Sequence, residues 1–159
     1  MSTIEQKVVR VGNYVGTEHV DSLIRTYKTE RWIQNSENLG KEDTLDSWYS
    51  LEELEEFIQT AKMHGSDGIR LCFGVYGAHN APKPGMEGKQ TIAFVATRGE
   101  DEGQESPVLR DVYINKNGKT DLLAYNTGIG WPWTVPVPPT TGALGSVIIA
   151  DKDKGMKVI

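Results

Sequence analysis

Residues 47–77 read SWYSLEELEEFIQTAKMHGSDGIRLCFGVYG, and this stretch decides the fold class. Ser50 followed by Glu53 forms a capping box. The hydroxyl accepts from the amide of residue 53, and the Glu53 carboxylate reaches back to the amide of Ser50. Tyr49 and Leu54 stand at the positions of a hydrophobic staple. Glu52 and Glu53 complement the positive end of the helix dipole, while Lys62 and His64 lie near its negative end. Gly65 supplies the left-handed residue that ends the helix. Leu51, Leu54, Phe57, Ile58 and Ala61 share one face at helical spacing. Full burial of each large member is worth roughly 1.5–3 kcal/mol, as an upper bound. The cap is worth about 1 kcal/mol, so packing dominates and the cap fixes the start.

A turn over 65–68 leads into a strand over 69–76. Ile69, Leu71, Phe73 and Val75 alternate onto one face, which the pattern assigns to the core. Arg70, Cys72, Gly74 and Tyr76 take the other face. A slip of one residue would put Arg70 in the core, so the register is strongly specified.

Outward from this unit, a second helix is expected from Thr17 as N-cap to about residue 34, with Val20, Leu23, Ile24 and Tyr27 on its apolar face. Residues 34–41 read as a loop. The run 42–56 holds Glu42, Asp43, Asp46, Glu52, Glu53, Glu55 and Glu56 without a base. It reads as a solvated face, or as a docking surface for a basic partner. Residues 77–89 form a Pro/Gly-containing loop of a length found at functional sites. Residues 91–97, TIAFVAT, form a second strand buried on both faces, antiparallel to 69–76 because no crossover helix fits between them. The acidic segment 99–106 is expected to be mobile. A third strand over 108–115, the Asn117-Gly118 type I′ turn signal and a fourth strand over 121–125 make a hairpin, with Tyr113 and Ile114 against Leu122 and Leu123. Residues 126–139, NTGIGWPWTVPVPP, read as an extended, partly polyproline tail. One short strand is expected over 147–150 and a polar end over 151–159. A short strand or arm is expected near 8–11.

The whole reads as a single α+β domain over 1–159: an antiparallel sheet of three to five strands with two main helices on one face. A chain of 159 residues folds without staples. A net charge of −5 argues against nucleic acid and anionic membranes as partners. One cysteine excludes an internal disulfide. No span and no leader-like apolar region is seen, which points to a soluble, cytoplasmic protein.

The run Gly68-Ile69-Arg70-Leu71-Cys72-Phe73-Gly74, followed by Gln90-Thr91-Ile92-Ala93-Phe94-Val95-Ala96, resembles a group of small bacterial proteins of unknown function. Their pattern is a Gly-Ile-Arg-aliphatic-Tyr-x-Gly strand and then a TLVLV-like strand. Residues 19–31, HVDSLIRTYKTER, resemble their first helix, so the likeness covers about 17–98. Cys72 stands where relatives often carry tyrosine. Pro138-Pro139 is present without the cysteine that often follows in them. The resemblance implies a bacterial source and no activity.

His19, His64 and His79 sit in no metal or catalytic spacing, and Gly128-Ile129-Gly130 lacks the strand and helix that a phosphate loop needs. No cofactor or metal is expected. Arg70 is the residue that most needs an explanation, because a charge within an apolar strand requires a partner. That partner is a structural acid, such as Asp67 or one on the first helix, or a small anionic ligand, with Tyr76 and His79 near it. Cys72 reads as a small buried hydrophobe. Trp131 and Trp133 pack on their own domain or form the interface of a homodimer. The leading functional reading is a non-catalytic binding or accessory protein. Two readings stay open beside it: an enzyme on an anionic small molecule, with Arg70 as anchor and Cys72 or His79 reacting, and a protein-interaction module using the acidic helix face and the Trp-Pro tail.

Overall fold

The computed structural model describes residues 10–100 and 108–126, and only the backbone of 129–131, 149–150 and 157–158. A helical arm opens the described chain: α1 (Thr17–Tyr27), a π turn (Lys28–Trp32) and α2 (Ile33–Leu39). Next come β1 (Asp46–Trp48), α3 (Leu51–Met63), β2 (Gly68–Val75) and β3 (Gln90–Glu100). A broken hairpin comes after them as β4 (Val108–Asp111), β5 (Tyr113–Lys116), β6 (Lys119–Leu122) and β7 (Ala124–Tyr125). Last are β8 (Ile129–Trp131), β9 (Ile149–Ala150) and β10 (Lys157–Val158). The class is α+β with antiparallel pairing throughout.

α3 forms where its signals place it. The Ser50 hydroxyl accepts from the Glu53 amide at 3.2 Å. Its far end closes as a Schellman motif: Ser66 N–H donates to Ala61 O and Gly65 N–H to Lys62 O, both at 3.0 Å, with Gly65 at φ 81°. The other half of the capping box does not form as expected. The Glu53 carboxylate accepts instead from the Tyr125 hydroxyl, which ties α3 to β7. That hydrogen bond, followed by burial, pushes the Tyr125 phenol up to about 12.

The core lies between α3 and the sheet. Phe57 and Ala61 pack with Ala96, Val112 and Leu123, and Ile69, Phe94, Ile114 and Tyr125 close around them. Tyr49 meets Phe94 edge-on, with centroids 4.8 Å apart. The apolar face expected for α3 is thus only partly used, since Leu51 and Ile58 stay exposed. The helical arm reaches the same side of the sheet at its other end. Tyr27 donates to the side chain of Gln90, and Gln90, Ile92, Phe94 and Ala96 alternate onto one face.

β3 is the central strand, with β2 on one side and β4 and β7 on the other. Val112 and Leu123 interrupt the hairpin where both turn into the core. Leu123 N–H donates to Val112 O, Val112 N–H to Ala96 O and Ala96 N–H to Leu123 O. Tyr113 pairs with Leu122 as expected, whereas Ile114 pairs with Asp121. Asn117 and Gly118 both take positive φ, 52° and 77°, as a type I′ turn requires.

The sheet corrects the reading of β2. Ile69 reaches the core, but Leu71, Phe73 and Val75 are 57%, 80% and 63% exposed. α3 has 13 residues and so is about 20 Å long. It covers the Ile69–Ala96 end of the sheet and leaves the rest of the row open. Among the described residues the backbone is open as well. Ala96 turns its N–H and C=O toward Leu123 and Val112, so Ile69, its partner across the ladder, points its own backbone away from β3. By alternation Leu71, Phe73 and Val75 do the same. Tyr76 N–H donates to Lys89 O, in keeping with the even positions facing β3.

Four further expectations change. Thr17 is the first helical residue and Gly16 the cap. The helix does not stop near 34: a π turn carries it on to Leu39, and Gly40, at φ 74°, ends it. β1 pairs with β8, so part of the Trp-Pro segment is strand. The expected short strand is found as β9, and it pairs with β10 inside the segment read as a polar end. Residues 8–9 of the expected first strand, 101–106 of the acidic segment expected to be mobile and most of the 126–139 tail fall outside the described residues, whereas Gly99 and Glu100 of that acidic segment belong to β3. Residues 10–11 form neither helix nor strand.

Candidate functional site

Asp43 organises the region around the open end of β2. It is 2% exposed, although it sits in the acid-rich run that reads as a solvated face. One carboxylate oxygen accepts from the Thr44 amide at 2.8 Å and the Gln90 amide at 2.7 Å, and the other accepts from Asn35 Nδ2 at 3.4 Å. Its amide donates to Ser36 Oγ, and its carbonyl accepts from Trp32 Nε1. A π turn adds a residue to one helical turn and so rotates the next turns about the helix axis. Here the segment buries Trp32 against this carbonyl. Asp43 therefore locks the helical arm to the first residue of β3.

The lock leaves a groove of about 510 Å³ between the arm and the open row, lined by Tyr27, Arg31, Asn35, Phe73, Gly74, Val75 and Gln90. Its wall is apolar where Phe73 and Val75 stand. Its polar groups are few. The Tyr27 phenol is occupied with Gln90 and is pushed up, by burial first and then by the charge of Asp43, so it stays a protonated donor. Arg31 donates to the carbonyl of Glu30 at 2.9 Å and meets no carboxylate among the described residues. An apolar wall beside an unneutralised guanidinium suits a ligand with an apolar body and an anionic group.

The residues singled out from sequence are not brought together. One guanidinium nitrogen of Arg70 donates to both carboxylate oxygens of Asp111, at 2.8 and 2.7 Å. Its partner is therefore neither Asp67, which accepts from the Gly99 amide, nor an acid of the first helix. Asp111 holds the guanidinium charged. Tyr76 lies six residues further on, just past the end of β2, about 20 Å away. Its hydroxyl accepts from Thr91 and donates to Asn126, whose amide donates on to Thr91 and to the Ile92 carbonyl. This closed network is structural. His79 is exposed on the 76–89 connection. Cys72 is a half-buried free thiol beside Arg70. Trp131 lies on β8, and Trp133 falls outside the described residues.

Arg31, Asn35 and Gln90 escape a reading by pattern. Arg31 and Asn35 lie where the π turn makes 3.6-residue periodicity lose phase. No group of His, Cys, Asp and Glu among the described residues is placed to hold a metal, and no described helix is long and apolar enough to cross a membrane.

Asp46, on β1, gives a pH signature. Burial pushes its carboxyl from 3.8 up to about 6. Between these values the folded chain binds more protons than the unfolded one, so stability is fully present at lower pH and falls as pH rises through the window. One unit corresponds to about 1.4 kcal/mol, and solvent screening at a partly exposed group reduces the whole effect to roughly 1–2 kcal/mol. Asp46→Asn is expected to be more stable than the parent by that amount at pH 7 and by much less at pH 4. Urea unfolding at the two pH values checks it, and an equal difference at both would refute the assignment.

In comparisons with known proteins, no family model, no curated protein and no solved structure matched the chain.

Proposed function

We propose that this chain is a non-catalytic binding protein whose ligand, an apolar molecule with an anionic group, seats between the helical arm and β2. The observation that carries the reading is the pairing of an exposed apolar wall, Phe73 and Val75, with Arg31, which meets no carboxylate among the described residues. The anchor in this reading is Arg31 rather than Arg70, because Asp111 already occupies the Arg70 guanidinium.

The dye 8-anilinonaphthalene-1-sulfonate has the required chemistry, an aromatic body and one fixed negative charge. It is expected to bind with enhanced, blue-shifted emission. Arg31→Gln should weaken it about 5-fold, the roughly 1 kcal/mol of a charged contact at an exposed residue. Phe73→Ala should weaken it by a similar factor. The neutral analogue N-phenyl-1-naphthylamine should respond to Phe73→Ala but not to Arg31→Gln. Dye affinity unchanged in both variants would overturn the proposal.

A further inference from the structure

We infer that the open edge of β2 pairs antiparallel with β2 of a second copy of this chain, centred on Cys72, and that the second copy supplies the missing outer wall of the groove. The inference rests on the groove reading only for its last part. The pairing itself stands on the edge.

Edge strands are normally guarded by charge, proline or a bulge. β2 has no proline, and all eight of its residues pair in unbroken register with β3. Its single charged residue, Arg70, reaches inward across β3 to Asp111 on β4, away from the open side. The four residues that turn their backbone outward, Ile69, Leu71, Phe73 and Val75, also carry the row of apolar side chains. Such an edge is complete in donors, acceptors and apolar surface, and among the described residues it carries no device against pairing.

Only one self-pairing uses all of it. A two-fold axis at Cys72 sets Ile69 opposite Val75 of the partner subunit and Leu71 opposite Phe73 of the partner subunit. Each of these is a pair exchanging two backbone hydrogen bonds. On the other face Arg70 meets the partner's Gly74, so no like charges are opposed. An axis at residue 71 leaves Val75 facing the partner's Asp67. An axis at residue 73 leaves Ile69 facing the partner's Gly77. An axis at residue 70 sets the two Arg70 side chains against each other. The chosen register also stands the partner's Leu71 and the partner's Ile69 beside Phe73 and Val75, on the open side of the groove.

The register makes a chemical prediction. Cys72 and its symmetry mate form a non-hydrogen-bonded pair, with Cα atoms about 4.5 Å apart. That is within disulfide reach. Diamide takes two electrons and two protons from the two thiols and leaves a disulfide. In light scattering the protein is expected at twice 17.6 kDa. Diamide should convert it to a covalent dimer. Cys72→Ser with Gly74→Cys should stay dimeric yet resist cross-linking, because the two new thiols lie about 13 Å apart along the ladder. The new Cβ is tolerated, its nearest neighbour being Thr91 Cγ2 at 3.7 Å. Phe73→Lys, at a position 80% exposed in one copy, should fold normally and raise the dimer dissociation constant about 100-fold or more.

A monomer at micromolar concentration overturns the inference, whether hydrogen exchange finds the edge amides open or covered by the chain's own residues. So does a dimer indifferent to Phe73→Lys, or one that cross-links through Gly74→Cys and not through Cys72. Dye binding by a monomer would leave the groove reading standing and remove only the second copy.

Discussion

Asp43→Ala is expected to lower the unfolding free energy by about 3–5 kcal/mol. The substitution strips the acceptor from two backbone amides, Thr44 and Gln90, at a residue that is 2% exposed. A buried donor left without a partner costs about 1–3 kcal/mol, and more where the lost acceptor was charged. Asp43→Asn keeps the oxygen that both amides use and loses only the charge, so about 1–2 kcal/mol is expected. Its new amide nitrogen also faces Asn35 Nδ2, a second donor. Urea titrations with an unchanged m-value read both numbers. A loss under 1 kcal/mol for the alanine variant would mean that water reaches these amides and that Asp43 does not lock the arm. The Trp32 indole bonds the Asp43 carbonyl, which both variants retain, so Trp32 fluorescence, read in a background with the other three tryptophans replaced by phenylalanine, separates local opening from global unfolding.

Phe57→Ala and Phe73→Ala are expected to differ by most of the stability that one aromatic side chain can give. Phe57 is 6% exposed, with its ring 5.7 Å from Tyr125 and 6.3 Å from Phe94. Its removal leaves a cavity between α3 and the sheet and should cost about 3–5 kcal/mol. Phe73 has no such surroundings, and its removal should change the stability of one copy by about 0.5 kcal/mol or less. Dilute protein gives this comparison directly. At high concentration, pairing through β2 adds stability that depends on association, and Phe73→Ala then becomes measurably weaker than the parent. If the two variants are equally damaging in dilute solution, the open row on β2 is covered.

The features legible in the amino-acid chain are those that depend on neighbours a few residues apart. Ser50 starts α3 and Gly65 stops it, Asn117 and Gly118 turn the hairpin, and the alternation in 69–75 and 91–97 sets two antiparallel strands. These features arise from side chains competing for local backbone groups and from a strand period of two. Alternation states which residues share a face, but not what lies over it. Whether Phe73 is core or surface was decided by the length of α3 and by where it crosses, which are tertiary facts. The partner of Arg70 likewise waited on tertiary structure: Asp111 is remote in sequence and adjacent only once β4 pairs with β3. Asp43 looked like one acid in a solvated run. It became a buried hub because the π turn and the start of β3 brought donors to it from both sides. The candidate site is built from such long-range choices, so its wall was legible as an apolar row while its anchor, Arg31, appeared only when the arm packed against the sheet.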